Sequence, residues 1–242
     1  MATVILVRHG RTTANASGVL AGRSRGVHLD EVGLRQADAT GARLAPLPLA
    51  AVVTSPLERT RETAKAVAAA QATASRPVPE KGLLECDYGA WSGRELKTLA
   101  KEELWRTVQA HPSAAVFPEG ESMADMSARA VAAVRRWDAR LTEEHGPDAL
   151  WAAVSHADII KAVLADALGM HLDLFQRLHV DPASVSIVRY TTSRPFVLAT
   201  NTHDGDLSWL VPPPAKKGRS RKRAASADAA VGGGAGPVAA TS

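Results

Sequence analysis

His9 stands at the end of an apolar run, Val4 to Val7, with Arg8 before it and Gly10 after it. An imidazole titrates at about 6.5, so at neutral pH it keeps a free lone pair, and neighbouring guanidinium groups lower that pKa further. His9 is therefore a candidate nucleophile for phosphoryl transfer without a metal. Such a site also needs cations for the transferring oxygens and an acid for the leaving group. Arg8 and Arg59 are candidate bidentate phosphate ligands, a geometry that lysine does not match. Asn15 offers an uncharged donor. His156 begins a predicted helix, where free backbone amides favour an anion and a cationic imidazole would add charge and a donor. Glu85, placed at the end of a predicted strand and followed by Cys86-Asp87-Tyr88-Gly89, can protonate a departing alkoxide and then take a proton from water.

The other chemistry-bearing residues read more plainly. His28, His111, His145, His171, His179 and His203 show no metal-ligand spacing, so neither a metal nor a cofactor is expected. Arg61, two positions after Arg59, points elsewhere on the same helix and is expected at the surface. Cys86 reads as a small core or wall residue. Arg23 and Arg25 in the first loop, with Trp91, Trp105 and the segment His111 to Phe117, are candidates for the pocket mouth. Ordinary loop and packing roles fit them equally well.

Three strand ends must bring these groups together. Val4–Val7 is apolar throughout, as a central parallel strand covered on both faces requires. Leu34, Ala37, Gly41 and Leu44 recur at helical spacing, and Leu49 to Thr54 reads as a second buried strand. Ser55, Pro56 and Glu58 form a capping-box pattern that predicts a helix from Pro56 to about Ala70. Ser122 and Asp125 open a long helix with Met123, Met126, Ala130, Val134, Trp137 and Leu141 on one stripe. Ala149–Val154 is a third buried strand, broken by Ser155-His156-Ala157. Ile159, Ile160, Val163, Leu164 and Leu168 then mark a helix that Gly169 can end. Ser184–Thr191 and Phe196–Thr200 read as two further strands. This alternation predicts a three-layer α/β/α sandwich with a mostly parallel sheet, whose ligands bind at the carboxyl ends of the strands.

The 242 residues, 45% of them hydrophobic, suffice for one domain over residues 1–211. Residues 212–242 form a tail rich in Pro, Ala, Gly and basic residues, expected to be disordered. From Ala215 on, six Lys and Arg against Asp228 give +5, so the rest of the chain carries −1 of the overall +4. The basic charge is thus a property of the tail and is read as a solvated run, not as a nucleic-acid ligand. No stretch reaches the roughly 18 to 20 apolar residues of a membrane span, and the opening run reads as a strand and not as a signal peptide. A single cysteine fits a reducing compartment, so a cytoplasmic location is expected. A homodimer is compatible with the sequence.

Several ordered motifs together resemble one family. Arg8-His9-Gly10-Arg11-Thr12-Thr13-Ala14-Asn15 is similar to the Arg-His-Gly signature of the histidine phosphatase superfamily, in its phosphoglycerate mutase-like branch. The stretches Ser55–Ala64, Glu85–Gly93, Phe117–Ser122 and Val154–His156 resemble its further motifs, in the family's order, and the similarity spans roughly residues 3 to 205. The resemblance implies a phosphate pocket of Arg8, His9, Arg59 and His156, transient phosphorylation of His9, and Glu85 as general acid. Asn15 matches a phosphate-contacting position. One departure is Ala157, where the family usually has glycine; its backbone amide still serves phosphate provided the dihedrals do not require glycine.

A phosphohistidine passes its phosphoryl group either to water or to a bound alcohol. Mutases of the family carry a longer segment between the motifs at Glu85 and Glu121, with paired arginines for a substrate carboxylate. Here the interval is about 35 residues and holds only Arg94 and Arg106. The expected activity is therefore a metal-independent, histidine acid-type phosphomonoesterase acting on a small phosphorylated metabolite. A phosphoglycerate mutase-like phosphomutase is the alternative. A phospho-ligand-binding regulatory module without turnover is a third reading, disfavoured because every expected catalytic position is filled.

Overall fold

Thr3–Arg8 forms the first strand, β1, and its residues alternate between two cores. Val4 and Leu6 face one side, Ile5 and Val7 the other, and all four are buried, which is why the run is apolar without interruption. The computed structural model describes residues 1–72 and 76–211. After β1 come α1 (Thr13–Ser17), α2 (Glu31–Leu44), β2 (Leu49–Thr54), α3 (Glu58–Ala69) and the short β3 (Val78–Pro79). They are followed by α4 (Leu96–Leu99), α5 (Glu103–Ala110), α6 (Met123–His145), β4 (Leu150–Ser155), α7 (Ala157–Ala167), β5 (Val185–Arg189) and β6 (Phe196–Thr202).

The sheet runs in the order β3-β2-β4-β1-β5-β6. β3, β2, β4 and β1 pair in parallel, whereas β5 is antiparallel to β1 and β6 to β5. Leu44 of α2 and Val67 of α3 pack on one face with Ile5, Val52 and Val154. On the other face Met126 and Val134 of α6 and Ile160 and Val163 of α7 pack with Val4, Leu6 and Trp151. This is the mixed α/β sandwich that the alternation of elements predicts. The carboxyl ends of β1, β2 and β4 lie side by side at its centre.

Several local expectations need correction. α3 begins at Glu58, not Pro56, and its N-cap Leu57 supplies no side-chain bond. Ser55 is still part of the strand ladder through its N–H to the Val154 carbonyl at 3.0 Å, and its hydroxyl is turned elsewhere. Glu85 does not end a strand: it lies just after a 3₁₀ turn over Lys81–Leu83. Leu34 is 49% exposed; α2 buries Gly33, Ala37, Thr40, Gly41 and Leu44 instead. By contrast Ser122 caps α6 by accepting from the Asp125 N–H, and Gly169, at φ +65°, follows the end of α7. The tail from residue 212 lies outside the described residues.

Candidate active site

The geometry around His9 starts with a close approach of two backbones. Gly10 packs on Gly33 so tightly that a Cβ on Gly10 would enter the Gly33 carbonyl. This contact turns the chain sharply after β1 and leaves His9 at the strand end, its N–H still bonded to the Ser155 carbonyl of β4 at 3.0 Å. The His9 ring is 2.7 Å from the Gly10 carbonyl through Nδ1. A carbonyl only accepts, so Nδ1 carries the hydrogen and Nε2 presents its lone pair. The Nε–H of Arg59 lies 3.3 Å from that Nε2. Burial first, then Arg59 and Arg8, hold the imidazole well below its usual pKa, so His9 is neutral.

Each arginine is anchored by one end only. Arg59 is 2% exposed and donates from Nη2 to the Gly22 carbonyl at 2.8 Å, in a loop where Gly22 adopts φ +52°. Arg8 donates from Nη1 to the Val180 carbonyl at 2.7 Å. Thr63 ties the two motifs together, accepting from the Gly10 N–H and donating to the Arg59 carbonyl at 2.9 Å. The Ala183 N–H reaches the carbonyls of both Arg8 and His9 at 3.1 Å. Arg8 Nε, Arg59 Nη1 and His156 Nδ1 are buried without a hydrogen-bond partner.

His156 is fully buried, edge-on to His9 with ring centroids 5.2 Å apart. Its Nε2 lies 2.8 Å from the Ser55 hydroxyl and its Nδ1 3.9 Å from Oε2 of Glu85. Burial and the Arg59 charge push its pKa well down, so the ring is neutral here and not the cation considered from sequence. Ala157 opens α7 and is not among the residues with positive φ, so its methyl group is accommodated where glycine is usual.

Arg8, His9, Asn15, Arg59, Glu85 and Ala157 line one cavity of about 320 Å³, together with Tyr88, Asp158, Lys161 and an apolar wall of Val19, Leu20 and Leu96. His156, fully buried, is not among the lining residues. Asn15 uses its carbonyl oxygen to accept from the Thr12 N–H at 3.1 Å and the Thr12 hydroxyl at 2.9 Å, leaving the amide nitrogen for the cavity. Glu85 accepts the Cys86 N–H at 2.9 Å, and desolvation, with Asp158 second, raises its pKa to about 7.

Other expectations fall away. Arg23 does not line the cavity: it donates to the Glu85 carbonyl at 2.9 Å, to Asp87 at 3.2 Å and to Glu121 at 2.9 Å. Arg25 is exposed. Trp91 is buried against Trp105 and Phe117, in the core and not at the mouth. Arg61 is exposed, as expected, and borders a separate cavity. Sequence reasoning missed Ser55 as a partner of His156, and it missed Asp158, Tyr88 and Lys161 altogether. The one local sign was the spacing of Asp158, two residues beyond His156, with Lys161 one turn later.

Residues 4–203 match the model of the histidine phosphatase superfamily, branch 1. The chain belongs to that superfamily. A Mycobacterium tuberculosis protein named as bifunctional is 37% identical over 190 residues, 77% of this chain and 50% of its own length. The chain therefore spans about half the length of the mycobacterial relatives it matches. A Yersinia enterocolitica protein bearing the name phosphoglycerate mutase GpmB is 34% identical over 195 residues, 80% of this chain and 87% of its own. Among solved structures, the α-ribazole phosphatase of Shigella flexneri superposes with a TM-score of 0.71 at 25% identity, covering 83% of this chain and 96% of that one. The superfamily's phosphoglycerate mutase-like fold is the one described above.

Proposed function

We propose that the chain is a phosphatase that hydrolyses a small phosphomonoester through a phosphohistidine on Nε2 of His9. What carries this reading is one oriented lone pair in a cavity lined by Arg8 and Arg59, whose buried Nε–H and Nη1–H donors have no partner. Such donors are costly to leave unsatisfied in a dry site, and a phosphoryl group, with several acceptor oxygens, satisfies them together. The Nε2 lone pair attacks phosphorus as the ester P–O bond breaks, and the ester oxygen leaves with the Glu85 proton. Water then attacks phosphorus, giving its proton to Glu85, as the N–P bond breaks and its electron pair returns to His9. Throughout, the Nδ1–H to the Gly10 carbonyl supports the positive charge of the phosphorylated ring. Residues 1–211 are read as the catalytic domain and the cytoplasm as its place of work; no metal enters the steps.

A phosphomutase is the second reading, favoured by the name of the Yersinia relative. Against it, Arg94 is engaged by Glu102 at 2.6 Å and Arg106 is exposed and outside the cavity lining. Among the described residues, Lys161 is the cation that lines the cavity beyond Arg8 and Arg59, and the lining holds no further arginine for a substrate carboxylate. A panel of phosphomonoesters, including 2- and 3-phosphoglycerate, with free phosphate and isomer both quantified, tests the choice. Phosphate release is expected to dominate, to survive EDTA and to vanish in His9→Ala. Isomerisation outrunning phosphate release overturns the phosphatase reading.

A further inference from the structure

Two carboxylates face the same cavity, which is an unusual lining for a phosphate site. An anion beside a bound phosphoryl group weakens binding unless it is protonated or serves another purpose. Glu85 is the buried one. Asp158, the second residue of α7, is 19% exposed and is held by two partners from different directions. The Tyr88 hydroxyl donates to its Oδ2 at 2.8 Å, and Lys161 Nζ lies 3.6 Å from its Oδ1. Tyr88 is itself buried, so this bond is what satisfies its hydroxyl. Asp158 is thereby kept facing the cavity when it could otherwise turn out to water.

Every charged group near Glu85 can be placed. Arg8 from β1 and Arg59 from α3 favour its anion, and His156 is neutral beside it. From its own segment Cys86 and Tyr88 are uncharged, their pKa values pushed up by burial. Arg23 and Arg129 reach its backbone carbonyl at 2.9 and 3.0 Å and pair with Glu121. Asp158 is the one anion that opposes ionisation from within the cavity lining; on its own side it faces Arg8, Lys161 and Tyr88.

We infer that Asp158 is a positioning residue acting through Glu85: its carboxylate, pinned by Tyr88 and Lys161, keeps the donor's proton on Glu85 until the leaving oxygen takes it. Once Glu85 has given up that proton, two carboxylates confront each other. The same repulsion then drives Glu85 to recover a proton from the attacking water, so one neighbouring charge serves both half-reactions. The inference rests on Glu85 being the proton donor of the proposed phosphatase.

The test measures kcat/KM from pH 5 to 9 for the parent protein, Asp158→Asn, Tyr88→Phe and Glu85→Gln, on glycerol 2-phosphate and on p-nitrophenyl phosphate. Ionisation of the substrate is common to all four proteins and cancels in the comparison. Asp158→Asn retains an acceptor for Tyr88 and removes the charge. Its alkaline limb on glycerol 2-phosphate is expected to move down by about one pH unit, costing about tenfold in activity at pH 8. Tyr88→Phe, which releases Asp158, moves it the same way by less. With p-nitrophenyl phosphate, whose leaving group needs little protonation, the limb stays where it is. If Glu85→Gln abolishes the limb while Asp158→Asn and Tyr88→Phe both leave it unmoved, the inference is overturned and the donor assignment stands. If Glu85→Gln keeps the limb, the donor assignment itself fails.

Discussion

The Ser55 hydroxyl sits 2.8 Å from Nε2 of His156, joining the end of β2 to the start of α7 across 101 residues of sequence. Whichever of the two donates, the bond holds the ring so that its Nδ1 lies 3.9 Å from Oε2 of Glu85. One hydroxyl thus fixes the orientation of a fully buried ring.

Ser55→Ala removes this anchor without touching the cavity lining. A lost buried hydrogen bond of about 1–3 kcal/mol, felt in full in the transition state, lowers kcat by roughly 5- to 150-fold. Ser55→Thr retains the hydroxyl and should recover much of the rate. Steady-state kinetics on one substrate settles it, and an unchanged kcat in Ser55→Ala contradicts the role.

Arg59→Lys keeps a positive charge but loses the planar fork that anchors on Gly22 with one nitrogen and offers another to the ligand. Vanadate or phosphate affinity should fall by about tenfold or more, the loss of one charge-assisted bond, as read by isothermal titration. Equal affinity in the two proteins would show that charge alone suffices.

Glu85 links activity and stability to pH with opposite demands. Its pKa is raised to about 7, so the protonated carboxyl that the proposed reaction uses is present below pH 7, and turnover of alkyl esters should decline as pH rises through that value. Between its unfolded value near 4.5 and 7 the folded state holds the extra proton, so stability is lost as pH rises across this window, by ~3 kcal/mol in all. Glu85→Gln should therefore melt higher than the parent at pH 8 and about equally at pH 5, while turning over poorly at both. Identical melting curves at pH 8 would contradict the burial of a carboxylate there.

Gly10→Ala places a methyl group against the Gly33 carbonyl, a backbone atom that α2 holds in place. Strain of about 1–3 kcal/mol is expected, with His9 displaced from its bond to the Ser155 carbonyl. Chemical denaturation and kcat report the two effects separately. A variant of full stability and full rate would remove the close approach as the reason for glycine.

Much of the fold is legible in the sequence because β1, β2 and β4 are covered on both faces and so consist almost wholly of apolar residues. The strand-end residues Arg8, His9 and His156 follow from that, since polar chemistry begins where burial stops. Local patterns mislead where a distant partner outbids the near one. Ser55 fits a helix cap, yet its hydroxyl goes to His156; Arg23 looks free in its loop, yet Asp87 and Glu121 lie 64 and 98 residues on and take up its guanidinium. Tyr88 and Asp158 are 70 residues apart, and neither spacing nor composition announces their bond.

The buried, unpartnered nitrogens of Arg8, Arg59 and His156 have a consequence for the protein as a folding chain. Each unsatisfied donor disfavours the empty folded state by about 1–3 kcal/mol, and any tetrahedral oxyanion that enters relieves several at once. Inorganic phosphate, the product of the proposed reaction, is then also a folding ligand: binding only the native state, it raises the melting temperature by mass action. The protein is expected to be most resistant to heat and proteases when the product of the proposed reaction accumulates and turnover is lowest.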